Sequence, residues 1–281
     1  MKHIKEICKE IAKELQIMVP ENVKLPDRQL KMSDIMPKEE WVTSGVTCLA
    51  ARPGMGKTAL AIDIALDAAL WMEKAIVFFS LKTDEKQLVY RMLRNITGIE
   101  LPRKLSVGDK QRLASAIAYL KKLNIFIEDA PGIMVTEMEA KLQKLQELQD
   151  VGMVVIDYVQ LVTVAANRLI NGHDNIRWIV QNISCIAAEK QISILLLSLL
   201  PRSVEFRLNK RPCLEDMYYG IYARDVDQVI FLYREKVYNK QMRDDSAEII
   251  IAKSKSGTNQ TISMRFNEKH LCFEKDNRRN L

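Results

Sequence analysis

The first apolar residues of the chain fall at helical spacing: Ile4, Ile7, Cys8, Ile11, Leu15 and Met18, with lysines and glutamates elsewhere and Pro20 closing the segment. The pattern predicts one amphipathic helix over 2–18, apolar along one stripe and charged around the rest. Such a stripe needs a partner surface. It can pack on its own domain or dock onto a neighbouring subunit. Residues 19–44 carry Pro20, Pro26 and Pro37 and read as an irregular connector, with Met32, Ile35 and Trp41 as its anchors.

From Gly45 onward the pattern changes. Short continuous apolar runs predict strands at 45–50, 75–80, 125–127, 153–156 and 193–197. Helical periodicity fills the intervals at 57–71, 84–95, 109–121, 136–149 and 174–189. Alternation of this kind implies an α/β fold, a mostly parallel sheet wrapped by helices. Strands at 228–233 and 248–253 and a closing pair near 260–273 extend that sheet, part of it antiparallel. The chain therefore divides into a helix and connector over 1–44 and an α/β domain over 45–281.

Composition adds boundaries. At 281 residues and 48% hydrophobic, the chain has enough apolar material for one large domain, or one domain and an appendage. A net charge of +6 and an isoelectric point near 8.9 are compatible with a nucleic-acid partner without requiring one. Cys8, Cys48, Cys185, Cys213 and Cys272 are scattered and form no C-x-x-C pair, so neither a zinc site nor a disulfide framework is expected. A reducing cytoplasm is the expected setting. Lys2, Lys5, Glu6, Lys9 and Glu10 interrupt any apolar leader, and the most apolar run, 192–200, is too short to span a bilayer, so no membrane partner is expected. His3, His173 and His270 form no catalytic or metal-binding pattern.

The candidate chemistry begins where the first strand ends. Ala51-Arg52-Pro53-Gly54-Met55-Gly56-Lys57-Thr58-Ala59 places a glycine-rich loop between a predicted strand and a predicted helix. Backbone N–H groups of such a loop wrap phosphates, Gly54 and Gly56 allow close approach, and the helix N-terminus adds favourable potential. Lys57 would neutralise the β- and γ-phosphates of a nucleoside triphosphate, and Thr58 would hold Mg²⁺. The glycine that opens the generic pattern is replaced by Ala51. About one hundred residues on, Met153-Val154-Val155-Ile156-Asp157 is an apolar strand ending in a carboxylate. It would deliver Asp157 to the same sheet edge, beside Thr58, as a second Mg²⁺ ligand.

Together with Phe78-Phe79-Ser80-Leu81, Ile127-Glu128-Asp129-Ala130-Pro131-Gly132, Val155-Ile156-Asp157-Tyr158-Val159-Gln160-Leu161, Leu197-Ser198-Leu199-Leu200-Pro201-Arg202, Lys210-Arg211-Pro212, the run from Asp225 to Arg234 and Ala247-Glu248-Ile249-Ile250-Ile251-Ala252-Lys253, these motifs resemble, in order and spacing, the C-terminal ATPase domain of DnaB-type replicative DNA helicases. The resemblance covers about residues 45–270. It implies a RecA-like P-loop NTPase that binds ATP and Mg²⁺, assembles as a ring or hexamer, grips single-stranded DNA and works with other replication proteins. Arg52, Gly54, Met55, Gly56, Lys57, Thr58 and Ala59 would line the nucleotide, with Lys57 and Asp157 in the catalytic roles. Lys253 and Lys255 would reach a neighbour's nucleotide. By the same resemblance no counterpart of the family's N-terminal primase-binding domain is expected ahead of the P-loop, and the helix over 2–18 resembles the linker that packs on the adjacent subunit. That favours the intersubunit role for it.

Several positions depart from the family. Its general base is glutamate where this chain has Lys82, and a protonated lysine has no acceptor for the proton of an attacking water. The Leu-Ser-Gln sensor is Leu197-Ser198-Leu199, and the arginine finger is Lys255, which keeps charge but loses the planar fork. Asp84 and Glu85 are the nearest acids in sequence. By resemblance, DNA contact falls on the loops near 163–175 and 201–212, with Arg168 in the first and Arg202, Arg207, Lys210 and Arg211 in the second. The expectation is a DnaB-like core that binds ATP, oligomerises and engages single-stranded DNA with impaired hydrolysis. The alternative is a non-hydrolysing ATP-binding adaptor or regulator of a helicase ring.

Overall fold

The computed structural model describes residues 1–21, 23, 30–164, 172–217, 221–239, 241 and 244–276. The strands are β1 (Lys2–His3), β2 (Gly45–Ala51), β3 (Ala75–Ser80), β4 (Ile125–Glu128), β5 (Val151–Asp157), β6 (Ser193–Leu199), β7 (Gln228–Tyr233), β8 (Ser246–Lys253), β9 (Gln260–Asn267) and β10 (Cys272–Lys275). The helices are α1 (Ile4–Glu14), α2 (Lys38–Val42), α3 (Lys57–Trp71), α4 (Glu85–Thr97), α5 (Val107–Leu120), α6 (Val135–Gln146) and α7 (Gly172–Glu189).

All ten strands form one sheet in the order β1-β4-β3-β5-β6-β2-β7-β8-β9-β10. The six from β4 to β7 are parallel, and their nearly unbroken apolar runs reflect burial on both faces. One face is covered by α1, α3, α4 and α5, the other by α6 and α7. The parallel register puts the C-terminal ends of β3, β5, β6, β2 and β7 along one edge, and the P-loop leaves from the end of β2. Antiparallel strands complete both sides of the sheet, β1 against β4 and β8–β10 beyond β7. The α/β reading therefore holds.

Helix boundaries follow local chemistry. Asp84 caps α4 by accepting from the Gln87 amide at 2.8 Å, and Gly98 in the left-handed region ends it. Ser106 and Asp109 form a capping box at the start of α5. Within α3, Asp63 and Asp67 are buried among apolar residues and act as brackets. Asp63 accepts from Asn95 Nδ2 at 2.8 Å and from the Phe273 amide at 3.0 Å, tying β10 to the helix. Asp67 accepts from the Met32 amide at 2.8 Å and fixes the connector, whose expected anchors Met32, Ile35 and Trp41 are all buried.

One expectation changes. The apolar stripe of α1 packs on its own chain: Ile4, Ile7, Cys8 and Ile11 are wholly buried in the core that includes α4 and α5, and His3 joins Lys2 in an added edge strand beside β4. The reason is that the outer faces of α4 and α5 supply the apolar surface that the stripe needs. The helix is also shorter than the spacing suggested, because Leu15 already serves as its C-cap and Gln16 takes a positive φ of 51°.

Candidate nucleotide-binding site

The P-loop departs from β2 with Gly54 at φ 82° and Gly56 at φ 101°, both in the left-handed region where a side chain is strained. A Cβ on Gly56 would stand 3.0 Å from the Phe273 ring, itself packed on Phe266 with centroids 4.9 Å apart. Gly56 is the N-cap of α3 and offers no side chain to the first amides, and the first turn carries no acidic residue. The orphan N–H groups and the positive end of a 15-residue helix thus stand over the cleft without a capping side chain.

Along the sheet edge, each parallel strand delivers one component. Lys82 follows β3, Asp157 ends β5, Leu199 ends β6, Lys57 and Thr58 follow β2, and Arg234 follows β7. With Pro53, Gly54, Gly56, Ala59, Arg91, Tyr158, Phe266 and Leu271 they line a cleft of about 360 Å³. That size lies within the range usual for small-ligand sites, ~300–1,000 Å³.

Lys57 is buried, and its Nζ donates to the carbonyls of Ala51 at 2.8 Å and Arg52 at 3.2 Å. Burial pulls its pKa down to about 8, opposed by the Asp157 carboxylate. Thr58 Oγ1 donates to Asp157 Oδ2 at 2.7 Å, so the two expected Mg²⁺ ligands do meet. Burial raises the Asp157 pKa, while Thr58, Lys57, Arg91 and Lys82 pull against it. A hydroxyl and a carboxylate are hard oxygen donors that suit Mg²⁺. No group of three or more His, Cys, Asp or Glu among the described residues could hold a metal, so the remaining ligands would have to come from phosphate and water.

At the β7 end, the Arg234 guanidinium lies 3.8 Å over the Phe266 centroid and donates to the Gly54 carbonyl at 3.3 Å. Tyr158, Phe266 and Leu271 provide flat or apolar surface. At the β3 end, Leu81 donates its amide to the Asp157 carbonyl at 3.0 Å, holding the start of the Lys82 segment against β5. The acids nearest Lys82 in sequence are committed elsewhere: Asp84 caps α4, and Glu85 pairs with Lys2. Asp157 is the sole carboxylate among the described residues lining the cleft.

Other expected residues are placed differently. Arg52 turns from the cleft to pair with Glu205, Nε at 2.7 Å and Nη2 at 2.6 Å, and donates to the Leu200 carbonyl. Met55 is buried, and its Sδ accepts from the Arg234 amide at 3.3 Å. Both leave only their backbone for phosphate. Lys253 Nζ donates to the carbonyls of Ala223 and Val226, and Lys255 Nζ to those of Thr43 and Ser44. Because β8 runs antiparallel to β7, these lysines lie toward the opposite edge of the sheet from the P-loop and take no part in this chain's own cleft.

The basic loop after β6 is less free than its composition suggests. Arg207 pairs with Asp216 at 2.7 Å, Arg211 holds Glu248 through two bonds of 2.7 Å, and Lys210 donates to the Glu205 carbonyl. Arg202 is the most exposed of the set, 80% at its side chain, and Phe206 and Leu208 beside it are largely exposed. Arg168 lies outside the described residues.

Arg91 and Arg234 are cleft residues that the sequence motifs leave without a role. Arg234 carries the same signal that marks Asp157, a charged residue directly after an apolar parallel strand. Arg91 carries none, because it interrupts the apolar positions of α4 as any solvent-facing residue would.

A model of the DnaB-like helicase C-terminal domain matches residues 39–275. The chain belongs to this DnaB-like family. It is 37% identical over 231 residues to the replicative DNA helicase DnaC of Bacillus subtilis, covering 80% of this chain and 51% of that protein. With the replicative DNA helicase DnaB of Geobacillus stearothermophilus the identity is 36% over 236 residues, covering 82% and 52%. The chain thus spans about half the length of these curated relatives. Its structure is similar to that of a solved ATPase domain, with a TM-score of 0.79 and 26% identity over 97% of this chain and 98% of that one. A DnaB-like replicative helicase described with its interactions with primase gives a TM-score of 0.80 at 27% identity, over 95% of this chain and 67% of that one. The fold is thus the RecA-like ATPase fold of DnaB helicases, and the DnaB-like core expected from the sequence is borne out at that level.

Proposed function

We propose that this chain is a DnaB-type subunit that holds Mg-ATP in the cleft, assembles into a ring, engages single-stranded DNA and hydrolyses ATP only slowly. One observation carries the slow turnover: Lys82 occupies the general-base position, and Asp157 is the sole lining carboxylate among the described residues. Asp157 would be engaged with the metal, which leaves no acceptor for the proton of an attacking water.

Binding uses a separate set of groups. The uncapped N-terminus of α3 and Lys57 would take the phosphates, Thr58 and Asp157 the Mg²⁺, and the Arg234–Phe266 surface the base. Mg²⁺, when bound, supplies charge neutralisation between the phosphates. Assembly is supported by Lys253 and Lys255, which lie away from this chain's own cleft, where a neighbour's nucleotide could meet them. DNA contact rests on Arg202, which stays exposed although it lies 3.6 Å from Glu205, with the exposed Phe206 and Leu208, since Arg207 and Arg211 are held more closely by carboxylates at 2.7 Å. The same observations serve the second reading, an ATP-binding adaptor or regulator of a helicase ring. The two part on whether this chain moves along DNA by its own hydrolysis.

Calorimetric titration with Mg-ATP, paired with mass by light scattering, tests the binding half. The expected result is saturable binding at one site per chain and a mass that rises above the monomer when nucleotide is present. No detectable binding, or a mass indifferent to nucleotide, would overturn it.

A further inference from the structure

Lys57, Lys82, Arg91 and Arg234 line the cleft, and two of these cations are uncommitted among the described residues. Lys57 is held by P-loop carbonyls, and Arg234 by Gly54 and by Glu268 at 3.5 Å. Lys82 and Arg91 line the same cleft and make no ion pair or hydrogen bond among the described residues. By contrast, Arg52, Arg103, Arg207 and Arg211 each hold a carboxylate.

Their position along the sheet edge gives them a specific target. The order β3-β5-β6-β2-β7 sets the Arg234–Phe266 surface beyond one side of the P-loop and Asp157 and then Lys82 beyond the other. Ser80 is the register partner of Asp157, and Lys82 lies two residues further along. A nucleotide with its base toward Phe266 and its first phosphates over the start of α3 directs its last phosphate toward Asp157 and Lys82. Arg91, on α4, faces the same end of the cleft and acts on the Asp157 charge together with Lys82.

We infer that Lys82, seconded by Arg91, is a ligand for the terminal phosphate within the same chain, so that the substitution at the general-base position makes the cleft selective for a nucleoside triphosphate over the diphosphate. This rests on the reading of the cleft as a nucleotide site and specifies what it retains. A glutamate at position 82 would repel the terminal phosphate and activate water. Lysine does the reverse on both counts: it attracts that phosphate and offers no base. The chain is built to keep its triphosphate. A single charge-assisted contact to the terminal phosphate corresponds to roughly 10–100-fold in affinity.

The test is titration of the full chain with Mg-ATP and with Mg-ADP, comparing wild type with Lys82→Ala, Lys82→Arg and Arg91→Ala. The side chain of Lys82 is exposed, lines the cleft and makes no bond among the described residues, so the variants are expected to fold, with matching circular dichroism as the check. Wild type is expected to prefer ATP. Lys82→Ala should weaken ATP binding by about 10-fold or more while moving ADP less than about 2-fold, Lys82→Arg should restore the preference, and Arg91→Ala should show a smaller loss in the same direction. Equal losses for ATP and ADP, or no loss for either, would overturn the inference and leave the nucleotide site standing. Wild type that binds neither nucleotide would overturn the nucleotide reading itself.

Discussion

Changing Lys82→Glu, Leu199→Gln and Lys255→Arg together is expected to raise steady-state ATP hydrolysis by at least about 10²-fold, measured as phosphate release with single-stranded DNA present. A positioned general base contributes ~10²–10⁴ to rate, and an arginine finger ~10³–10⁵. The contributions are not additive, because each group acts on the same transition state. The lower bound is therefore the safer expectation. The scaffold should accept the changes: Lys82 and Leu199 already line the cleft, Asp157 and Thr58 already meet at 2.7 Å, and Lys255 lies on the far side of the sheet where it disturbs no P-loop contact. Lys82→Glu alone should give a smaller gain with weaker ATP binding. A triple variant as slow as wild type would mean that the deficit lies elsewhere.

The second large effect concerns α1. Ile7 and Ile11 are wholly buried, so Ile7→Ala and Ile11→Ala are each expected to cost about 2–5 kcal/mol of stability, read from chemical denaturation. Losses of that size consume a large share of the ~5–15 kcal/mol that stabilises an ordinary domain. The double variant should therefore be close to unfolded at 25 °C. Because the stripe is covered by α4 and α5 of the same chain, the wild-type midpoint without nucleotide should not depend on protein concentration. A midpoint rising with concentration, with a folded monomer surviving in the double variant, would mean that the helix is stabilised by another copy.

The sequence made the central architecture legible because its parallel strands are buried on both faces and so appear as unbroken apolar runs. The run 153–156, for example, lies within β5 (Val151–Asp157), whose buried edge residue is Asp157. The core of the site was equally plain, since glycine, lysine and threonine at fixed offsets have few other uses. What stayed hidden depended on long-range geometry. The stripe of α1 revealed that a partner was needed but not which one, because α4 and α5 lie about eighty to one hundred residues further on in the chain. Arg207 and Arg211 read as free charge until Asp216 and Glu248 were brought beside them by the fold. Arg91 reaches the cleft only because α4 packs where it does.

As proposed, the cleft grips nucleotide and lacks a base. The most direct test is the fate of radiolabelled ATP held stoichiometrically by the wild-type chain with Mg²⁺ and single-stranded DNA, followed in a single turnover. Persistence of the bound triphosphate for many minutes, with ready exchange against added cold ATP, is the predicted result. Conversion to ADP within a second or so, at the ordinary turnover of ~1–10³ s⁻¹ seen for active enzymes, would contradict it.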